Sequence, residues 1–456
     1  MDIMDPRDPR PLHFMGVGGA GMSALALIAR RRGVPVTGCD RDLAGAADVA
    51  AAGATLFEGH DPAHVEGTRG VVVTAAVAAD HPELVRARAM GLPVVPRKRA
   101  LGALVNGGTV AAIAGTHGKT TTTAMATEAL AAAGLAPTGI AGGRVASWGG
   151  NARIGNGQLF VVEADEYDRA FLELEPTVAV VTNVEADHLE YYGTVAALED
   201  AFVRFASRAK RVIVGHDDPG ARRVAARLAV PVWRFGGGDA DIQFGTVVQT
   251  PTGTSAMVNF PGGRSVALRL RVPGLHNLRN AAAALGVVAA LEGSLERAAE
   301  GLGAFTGVGR RFERLGEVNG VAVVDDYAHH PTELVATLAA ARQTFPKRRL
   351  VAVFQPHLYS RTQAHAEAMG VALAMADLVV VADVYAAREA PIAGVSGKLV
   401  ADAAQRAGAA VIYEADRSQL ARRVFDELES GDVVLTLGAG DITRVAGELV
   451  QWLGAA

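Results

Sequence analysis

The chain has 456 residues, half of them hydrophobic and 5% aromatic, with a net charge of −4 and a single cysteine. That length allows about three domains with cores built mainly from Ala, Val and Leu. The absence of any basic block argues against a nucleic-acid or anionic-membrane partner, and one cysteine excludes an internal disulfide framework and favours a reducing cytoplasm.

The opening run Met1-Asp-Ile-Met-Asp-Pro-Arg-Asp-Pro-Arg10 mixes acids, bases and prolines, and predicts a loose leader rather than a secretory signal. A strand from Leu12 then leads into Gly16-Val-Gly-Gly-Ala-Gly21, an Ala/Leu/Ile helix to Arg32, a stop at Gly33, a strand Pro35–Cys39 and Asp40. This G-x-G-x-x-G arrangement with an acid about twenty residues on predicts a Rossmann-like domain with a pyrophosphate at the helix N-terminus. Taken alone it would read as an NAD dehydrogenase. Cys39, flanked by apolar residues, reads as a small core residue. The longest uncharged stretch, Ala100–Thr116, holds Asn106-Gly-Gly-Thr109 in its middle and marks a domain junction, not a membrane span.

The second segment opens on Thr109-Val-Ala-Ala-Ile-Ala-Gly115, then Thr116-His-Gly-Lys-Thr-Thr-Thr-Thr123 and an alanine-rich helical run ending near Gly134. Strand, glycine loop and helix together predict a site for a nucleoside triphosphate. Lys119 supplies a point charge for the terminal phosphates, and Thr120 is placed to hold Mg²⁺. The loop departs from the usual phosphate-loop pattern, because position 113 is Ile rather than Gly. Two apolar strands follow, Leu159–Val162 ending at Glu163 and Thr177–Thr182 leading to Asn183-Val-Glu-Ala-Asp-His188. Ligands gather at the carboxyl ends of such strands, so Glu163 is a candidate Mg²⁺ ligand and His188 a second-ion or phosphate ligand. Asp165, Glu166 and Asp187 read as solvated loop charges. Residues 232–272, split by Gly and Pro turns, predict antiparallel hairpins at the sheet edge. His276, Asn277 and Asn280 open a helix; Asn277 suits an N-cap, and both amides suit a purine edge.

A junction is predicted near Gly307-Val-Gly-Arg-Arg-Phe312, followed by further α/β alternation with strands at Val321–Val324, Leu350–Phe354, Leu378–Val381 and Asp432–Leu437. Asp325-Asp-Tyr-Ala-His-His-Pro-Thr-Glu333 ends the first of these with more ionisable groups than a helix cap needs. Phe354-Gln-Pro-His-Leu-Tyr-Ser-Arg361 repeats that arrangement, with His357 and Arg361 suited to an anion. Arg310 and Arg311 suit either phosphates or a solvated linker.

Together, Gly16–Ser23, Gly115–Thr123, Glu163–Asp168, Asn183–His188, Gly274–Asn280, Arg310–Phe312, Asp325–Glu333, Gln355–Thr362 and Gly438–Asp441 resemble the Mur ligases of peptidoglycan synthesis, over essentially the whole chain from residue 12. The resemblance implies three α/β domains. These are a Rossmann-like UDP-sugar domain (1–106), a central P-loop ATPase-like parallel sheet with antiparallel edge hairpins (107–310), and a Rossmann-like C-terminal domain for amino acid and ATP (311–456). It implies ATP-dependent ligation of L-alanine to the lactyl carboxylate of UDP-N-acetylmuramate through an acyl phosphate, with ATP and Mg²⁺, in the cytoplasm, by a monomer or weak homodimer.

Carried over by position, Gly18, Gly19, Ala20, Gly21, Met22, Ser23, Asp40 and His60 fall on the UDP-sugar. Gly115, Thr116, His117, Gly118, Lys119, Thr120, Thr121, Asn277, Asn280, Arg311 and Asp325 fall on ATP. Thr120, Glu163 and His188 fall on metal, and Tyr327, His330 and His357 on the amino-acid side. Lys119, Glu163, His188, His329 and Arg361 form the implied catalytic set. Tyr167 and Arg169 depart from the residues common in the family, and an aromatic at the first position is shared with a related ligase that attaches a whole tripeptide. Leu358 stands where many relatives carry Arg. No lysine lies between His188 and Lys210, which fits the alanine-adding branch rather than sisters that use a carbamoylated lysine there. A nucleotide-sensing protein that has lost turnover is the non-enzymatic alternative; the intact Lys119, Glu163 and His188 set argues against it.

Overall fold

The computed structural model describes residues 3–74, 76–387 and 389–455. Their strands form three sheets, each built on a parallel core, as the α/β alternation predicts. The first contains β1 (Leu12–Met15), β2 (Val36–Asp40), β3 (Thr55–Glu58), β4 (Gly70–Val73) and β5 (Val94–Pro96), all parallel in the order β3-β2-β1-β4-β5. Leu12, Phe14, Met15, Val71 and Val72 are fully buried, as expected of strands covered on both faces. The helix Ala20–Arg31 starts at Gly19, carries Arg30 and Arg31 in its last turn, and is followed by Gly33 at φ +87°. Basic groups at the C-terminal end and glycine in the left-handed region both suit a helix stop.

The central sheet contains β6 (Thr109–Ala114), β7 (Thr138–Val145), β8 (Gly150–Arg153), β9 (Leu159–Glu163), β10 (Val178–Val181), β11 (Arg211–Gly215), β12 (Val232–Gly236), β13 (Ile242–Phe244), β14 (Val248–Thr250), β15 (Gly253–Phe260) and β16 (Arg264–Leu270). Its order is β14-β15-β13-β12-β11-β10-β6-β9-β7-β8, with β16 on β15. The expectation of hairpins throughout 232–272 needs correction: β12 and β13 extend the parallel run, and antiparallel pairing begins only at β15. The helix Pro219–Ala225 before β12 supplies the crossover that a parallel strand requires. The β7–β8 pair is an antiparallel hairpin with a bulge, for which the sequence carries no signal.

The helix Lys119–Ala132 carries four threonines directly after Lys119, poor helix formers that are all buried here. Tertiary packing overrides propensity, and Thr127 Oγ1 donates back to the Thr123 carbonyl at 2.7 Å.

The third sheet contains β17 (Glu313–Val318), β18 (Val321–Asp326), β19 (Leu350–Phe354), β20 (Leu378–Ala382), β21 (Val411–Glu414) and β22 (Val433–Leu437), in the order β17-β18-β22-β19-β20-β21. All its pairs are parallel except β17–β18. Helices Pro331–Thr344 and Tyr359–Leu373 pack in the core on one face, and Arg417–Phe425 and Thr443–Ala455 in the core on the other.

The chain divides into two compact units. One holds the residues up to Thr246 with Ala256–Arg269 and Arg279–Phe305; the other holds Val247–Ser255, Leu270–Leu278 and the residues from Thr306 on. The leader is not loose where it is described. Ile3 and Met4 pack on the first core, and the buried Arg69 guanidinium donates to the Asp5 carbonyl at 2.5 Å. Among the described residues no helix is long and apolar enough to cross a membrane.

Candidate active site

In the first unit, the loop after β6 is held by the residues after β10. Gly115 has φ +132°, and a Cβ there would lie 1.9 Å from Thr182 Oγ1 and 2.9 Å from the Thr182 nitrogen. Only glycine permits that approach. Asn183 Oδ1 accepts from the His117 amide (2.7 Å), its Nδ2 donates to the His117 carbonyl (3.1 Å), and Thr182 Oγ1 donates to the same carbonyl (2.6 Å). Thr116 Oγ1 accepts from the Glu185 amide at 2.9 Å. Gly118, at φ +81°, lies against Asn280, whose Oδ1 would be 2.7 Å from an added Cβ. Asn280 therefore flanks the loop, while Asn277, in the second unit, donates to the Pro273 carbonyl at 2.7 Å. Thr121 is buried one residue beyond Thr120 in the first turn of the helix.

Lys119 Nζ donates to the Gly115 carbonyl (2.7 Å), the Thr116 carbonyl (3.2 Å) and Glu166 Oε1 (2.8 Å). Burial opposes its charge, but Glu166, Asp165 and Glu163 outweigh it and raise the ammonium above its ordinary pKa. The reading of Glu166 as a solvated charge is corrected. It is 1% exposed, paired with Lys119, and its carbonyl accepts from Tyr192 Oη at 2.6 Å. No local pattern around Glu166 signals this; both partners are distant in sequence.

Thr120 Oγ1 donates to Glu163 Oε1 at 3.1 Å, and the Gly142 amide donates to Glu163 Oε2 at 2.5 Å. Gly142 escaped the sequence reading because its position follows from the β7–β9 pairing. His188 has φ +55° and sits between carboxylates, with Nδ1 3.4 Å from Glu190 and Nε2 3.8 Å from Asp187. Tyr167 meets the His188 ring edge-on at 5.2 Å, and Arg169 lies over the Tyr191 and Tyr192 rings at 5.6 and 5.8 Å. The departures at 167 and 169 thus form part of one packed aromatic group.

A cleft of about 770 Å³ is lined by Gly19, Ala20, Gly21, Met22, Asp40 and His60 together with Gly142, Glu163 and Asp165. Arg97 also lines it, with a guanidinium nitrogen 2.6 Å from where a Gly21 Cβ would sit. Asp40 Oδ2 accepts from the Gly18 amide at 2.9 Å and so fixes the first glycine loop. Ser23 is buried away from the cleft lining; its hydroxyl donates to Ala20 and accepts from Asn151.

In the second unit, Asp325 is 1% exposed and saturated. Oδ1 accepts from Thr436 (2.6 Å), and Oδ2 accepts from Thr443 (2.8 Å) and Arg310 Nε (3.2 Å). Arg310 also donates to the Gly438 carbonyl at 2.6 Å, so it is not a solvated linker charge. Arg310 and Arg311 lie over the Tyr327 ring at 5.0 and 4.9 Å. His329 approaches the Tyr327 ring edge-on at 5.3 Å, and its Nδ1 lies 3.3 Å from Glu333. His330 lies edge-on to His365 at 5.0 Å. His357 stacks on Tyr385 at 5.7 Å, with its Nδ1 3.3 Å from an Arg361 nitrogen. Leu358 holds φ +69° at the start of the Arg361 helix.

Asp326 is buried and accepts from the Phe312 and Ala328 amides at 2.6 and 2.8 Å. Desolvation pushes its pKa from 3.8 up to about 6, against the pull of Arg311 and those amides. A raised folded pKa gives stability that is full below about pH 4 and is lost as pH rises through about 6, worth up to about 3 kcal/mol. Asp326→Asn should therefore lose less stability than the parent between pH 4.5 and 8 in denaturant titrations. Parallel pH dependences would contradict this.

Three family models match in chain order: "Mur ligase family, catalytic domain" over 11–109, "Mur ligase middle domain" over 113–288, and "Mur ligase, glutamate ligase domain" over 310–440. The chain is 45% identical to a UDP-N-acetylmuramate–L-alanine ligase from Cutibacterium acnes, covering 99% of this chain and 98% of the relative. It is 44% identical to another from Thermobifida fusca, covering both chains fully. A crystal structure of UDP-N-acetylmuramate–alanine ligase from Thermotoga maritima superimposes with a TM-score of 0.84 at 30% identity, over 98% of this chain and 99% of that one. A murein peptide ligase from Psychrobacter arcticus gives 0.73 at 25% identity, over 98% and 99%.

Proposed function

The chain belongs to the Mur ligase family, and from that membership we propose that it joins L-alanine to the lactyl carboxylate of UDP-N-acetylmuramate, using ATP, in cytoplasmic peptidoglycan precursor synthesis. It is a peptide-bond-forming ligase. The observation that carries the substrate assignment is the single cleft lined both by the first glycine loop and by Glu163 beside the Lys119 loop. A diphosphate at Gly19–Met22 and Arg97 would share this cleft with Glu163, where the acid of the sugar would be activated.

A lactyl carboxylate oxygen attacks the terminal phosphorus of ATP and ADP leaves. The neutral alanine amine then attacks the carbonyl carbon of the acyl phosphate, loses a proton, and phosphate departs from the tetrahedral intermediate. Positioning and charge stabilisation carry the rate. Lys119 holds the terminal phosphates, its ammonium kept charged by the adjoining Glu166. Thr120 and Glu163, oxygen donors 3.1 Å apart, fit a hard cation and would hold Mg²⁺. Bound there, Mg²⁺ neutralises phosphate charge. His188, with Glu190 3.4 Å from Nδ1 and Asp187 3.8 Å from Nε2, serves a second ion once Nε2 is turned from Asp187 to the metal. Asn277 and Asn280 serve the adenine side, Arg311 the nucleotide, and Tyr327, His329, His330, His357 and Arg361 the alanine and acyl groups. Asp325 acts through Arg310 and the two threonines. The working divisions are 1–106, 107–310 and 311–456, in a monomer or weak homodimer.

Phosphate release that requires ATP, Mg²⁺, alanine and the UDP-sugar together is expected; release independent of alanine or sugar would defeat the reading. Glu163→Gln should raise the Mg²⁺ concentration for half-maximal turnover at least about tenfold. An unchanged requirement would remove Glu163 from the metal. Tyr167 favours weighing the tripeptide ligase as a second reading, and a competition between alanine and the tripeptide decides, with alanine expected to win.

A further inference from the structure

The first unit contains a second cluster of ligating groups that the ligation reaction does not use. His13 of β1, Cys39 of β2, His64 of the turn Pro62–Val65 and Glu83 of the helix Pro82–Ala89 each place a ligand atom within 4.8 Å of the others. Cys39 Sγ lies 3.3 and 3.4 Å from the two Glu83 oxygens, and His64 Nδ1 lies 2.9 Å from Glu83 Oε1. A tetrahedral zinc site with zinc–ligand bonds of about 2.0–2.3 Å has ligand atoms roughly 3.3–3.7 Å apart, so small shifts close the set around an ion.

A second, independent observation points to a ligand. His13 is 0% exposed, and its Nε2 has no hydrogen-bond partner. Its Nδ1 is 3.0 Å from Thr37 Oγ1. With Nδ1–H donating to Thr37, Nε2 keeps its lone pair, the form in which imidazole binds a metal. Burial holds the ring neutral, pushing its pKa down to about 4. The His64 ring is fixed by stacking on Phe57 at 4.3 Å. The His13 ring is thus oriented from behind, as outer-shell contacts orient metal-bound histidines, whereas His64 Nδ1, which faces Glu83, also accepts from the Asp61 amide at 3.3 Å and would exchange that contact for the metal.

We propose that His13, Cys39, His64 and Glu83 form a zinc site that ties β1 and β2 to the two segments flanking β4. Two nitrogens, one sulfur and one carboxylate suit borderline-soft Zn²⁺ and not Mg²⁺. Zn²⁺ with a Glu83 carboxylate and a Cys39 thiolate is neutral overall, which suits a buried position. Without metal, burial and Glu83 keep the Cys39 thiol protonated, so zinc entry releases that proton to solvent. His60, whose Nδ1 is 3.3 Å from Cys39 Sγ, and His81 stand between this cluster and the cleft they line. The site therefore braces the wall of the proposed UDP-sugar cleft without entering it.

The test uses the full chain, stripped with chelator, kept reduced without thiols and held in excess Mg²⁺ so that hard-ligand sites are filled. Co²⁺ serves as the optical probe and Zn²⁺ as its competitor. One equivalent should bind with a thiolate-to-cobalt charge-transfer band and d–d bands of tetrahedral intensity, and Zn²⁺ should displace it. Cys39→Ser should lose the charge-transfer band and bind zinc more than about 100-fold more weakly, since even outer-shell losses cost about 10–100-fold. His13→Gln should weaken binding while retaining the thiolate band. A parent spectrum of octahedral type without the thiolate band overturns the proposal, and needs no variant to fold. Equal zinc affinity in Cys39→Ser overturns it as well.

Discussion

Lys119→Ala is expected to lower kcat by at least about 10²–10³-fold, the scale of losing one preorganised charge-stabilising donor. The effect should be large because Lys119 Nζ is the cation at the mouth of the loop, held by the Gly115 and Thr116 carbonyls and by Glu166. Truncation also strands Glu166, 1% exposed, without its counter-charge. Breaking a buried pair on one side costs about 3–5 kcal/mol. The rate and stability losses separate in a double variant. Lys119→Ala with Glu166→Gln should regain most of the stability and none of the rate. Steady-state kinetics with denaturant titrations measure both, and near-normal turnover in the single variant would remove Lys119 from the chemistry.

Asp325→Ala is expected to destabilise the second unit by about 3–5 kcal/mol. Asp325 accepts from Thr436, Thr443 and Arg310, which in turn donates to the Gly438 carbonyl. One carboxylate thus ties β18 to β22, to the start of the last helix, and to the arginine beside Tyr327. Asp325→Asn keeps an acceptor for Thr436 and loses the charge facing Arg310, so it should fall between parent and alanine variant. Chemical denaturation followed by intrinsic fluorescence checks the order. A loss below about 0.5 kcal/mol for the alanine variant, the range of an ordinary surface change, would contradict the clamp.

What could be read from sequence was what is local. The run Gly115-Thr-His-Gly-Lys-Thr120 states its own bend and helix start, Glu163 ends one buried strand, and His188 lies on the loop after another. The glycine loop at 16–21 and its acid at 40 are likewise consecutive elements of one βαβ unit, and Asp40 does reach the Gly18 amide. What escaped was set by contacts remote in the chain. Glu166 looks like any loop acid until Tyr192 and Lys119 close over it. Asn183 looks like the end of a strand until it clamps both polar groups of His117. Polar alternation and glycine turns made 232–272 look wholly antiparallel. The helix that returns the chain for β12 decides its direction, and hydrophobic periodicity is blind to that. The leader is ordered for the same reason: Ile3 and Met4 are anchored by a core assembled from later residues.

The acid of the UDP-sugar is activated by phosphoryl transfer before the amine attacks. The most direct test of this order starts from UDP-N-acetylmuramate carrying oxygen-18 in both lactyl carboxylate oxygens, turned over with ATP, Mg²⁺ and L-alanine. Each inorganic phosphate released should carry one heavy oxygen, and each product amide should retain the other. Phosphate released without label, alongside ligated product, would contradict the acyl phosphate route.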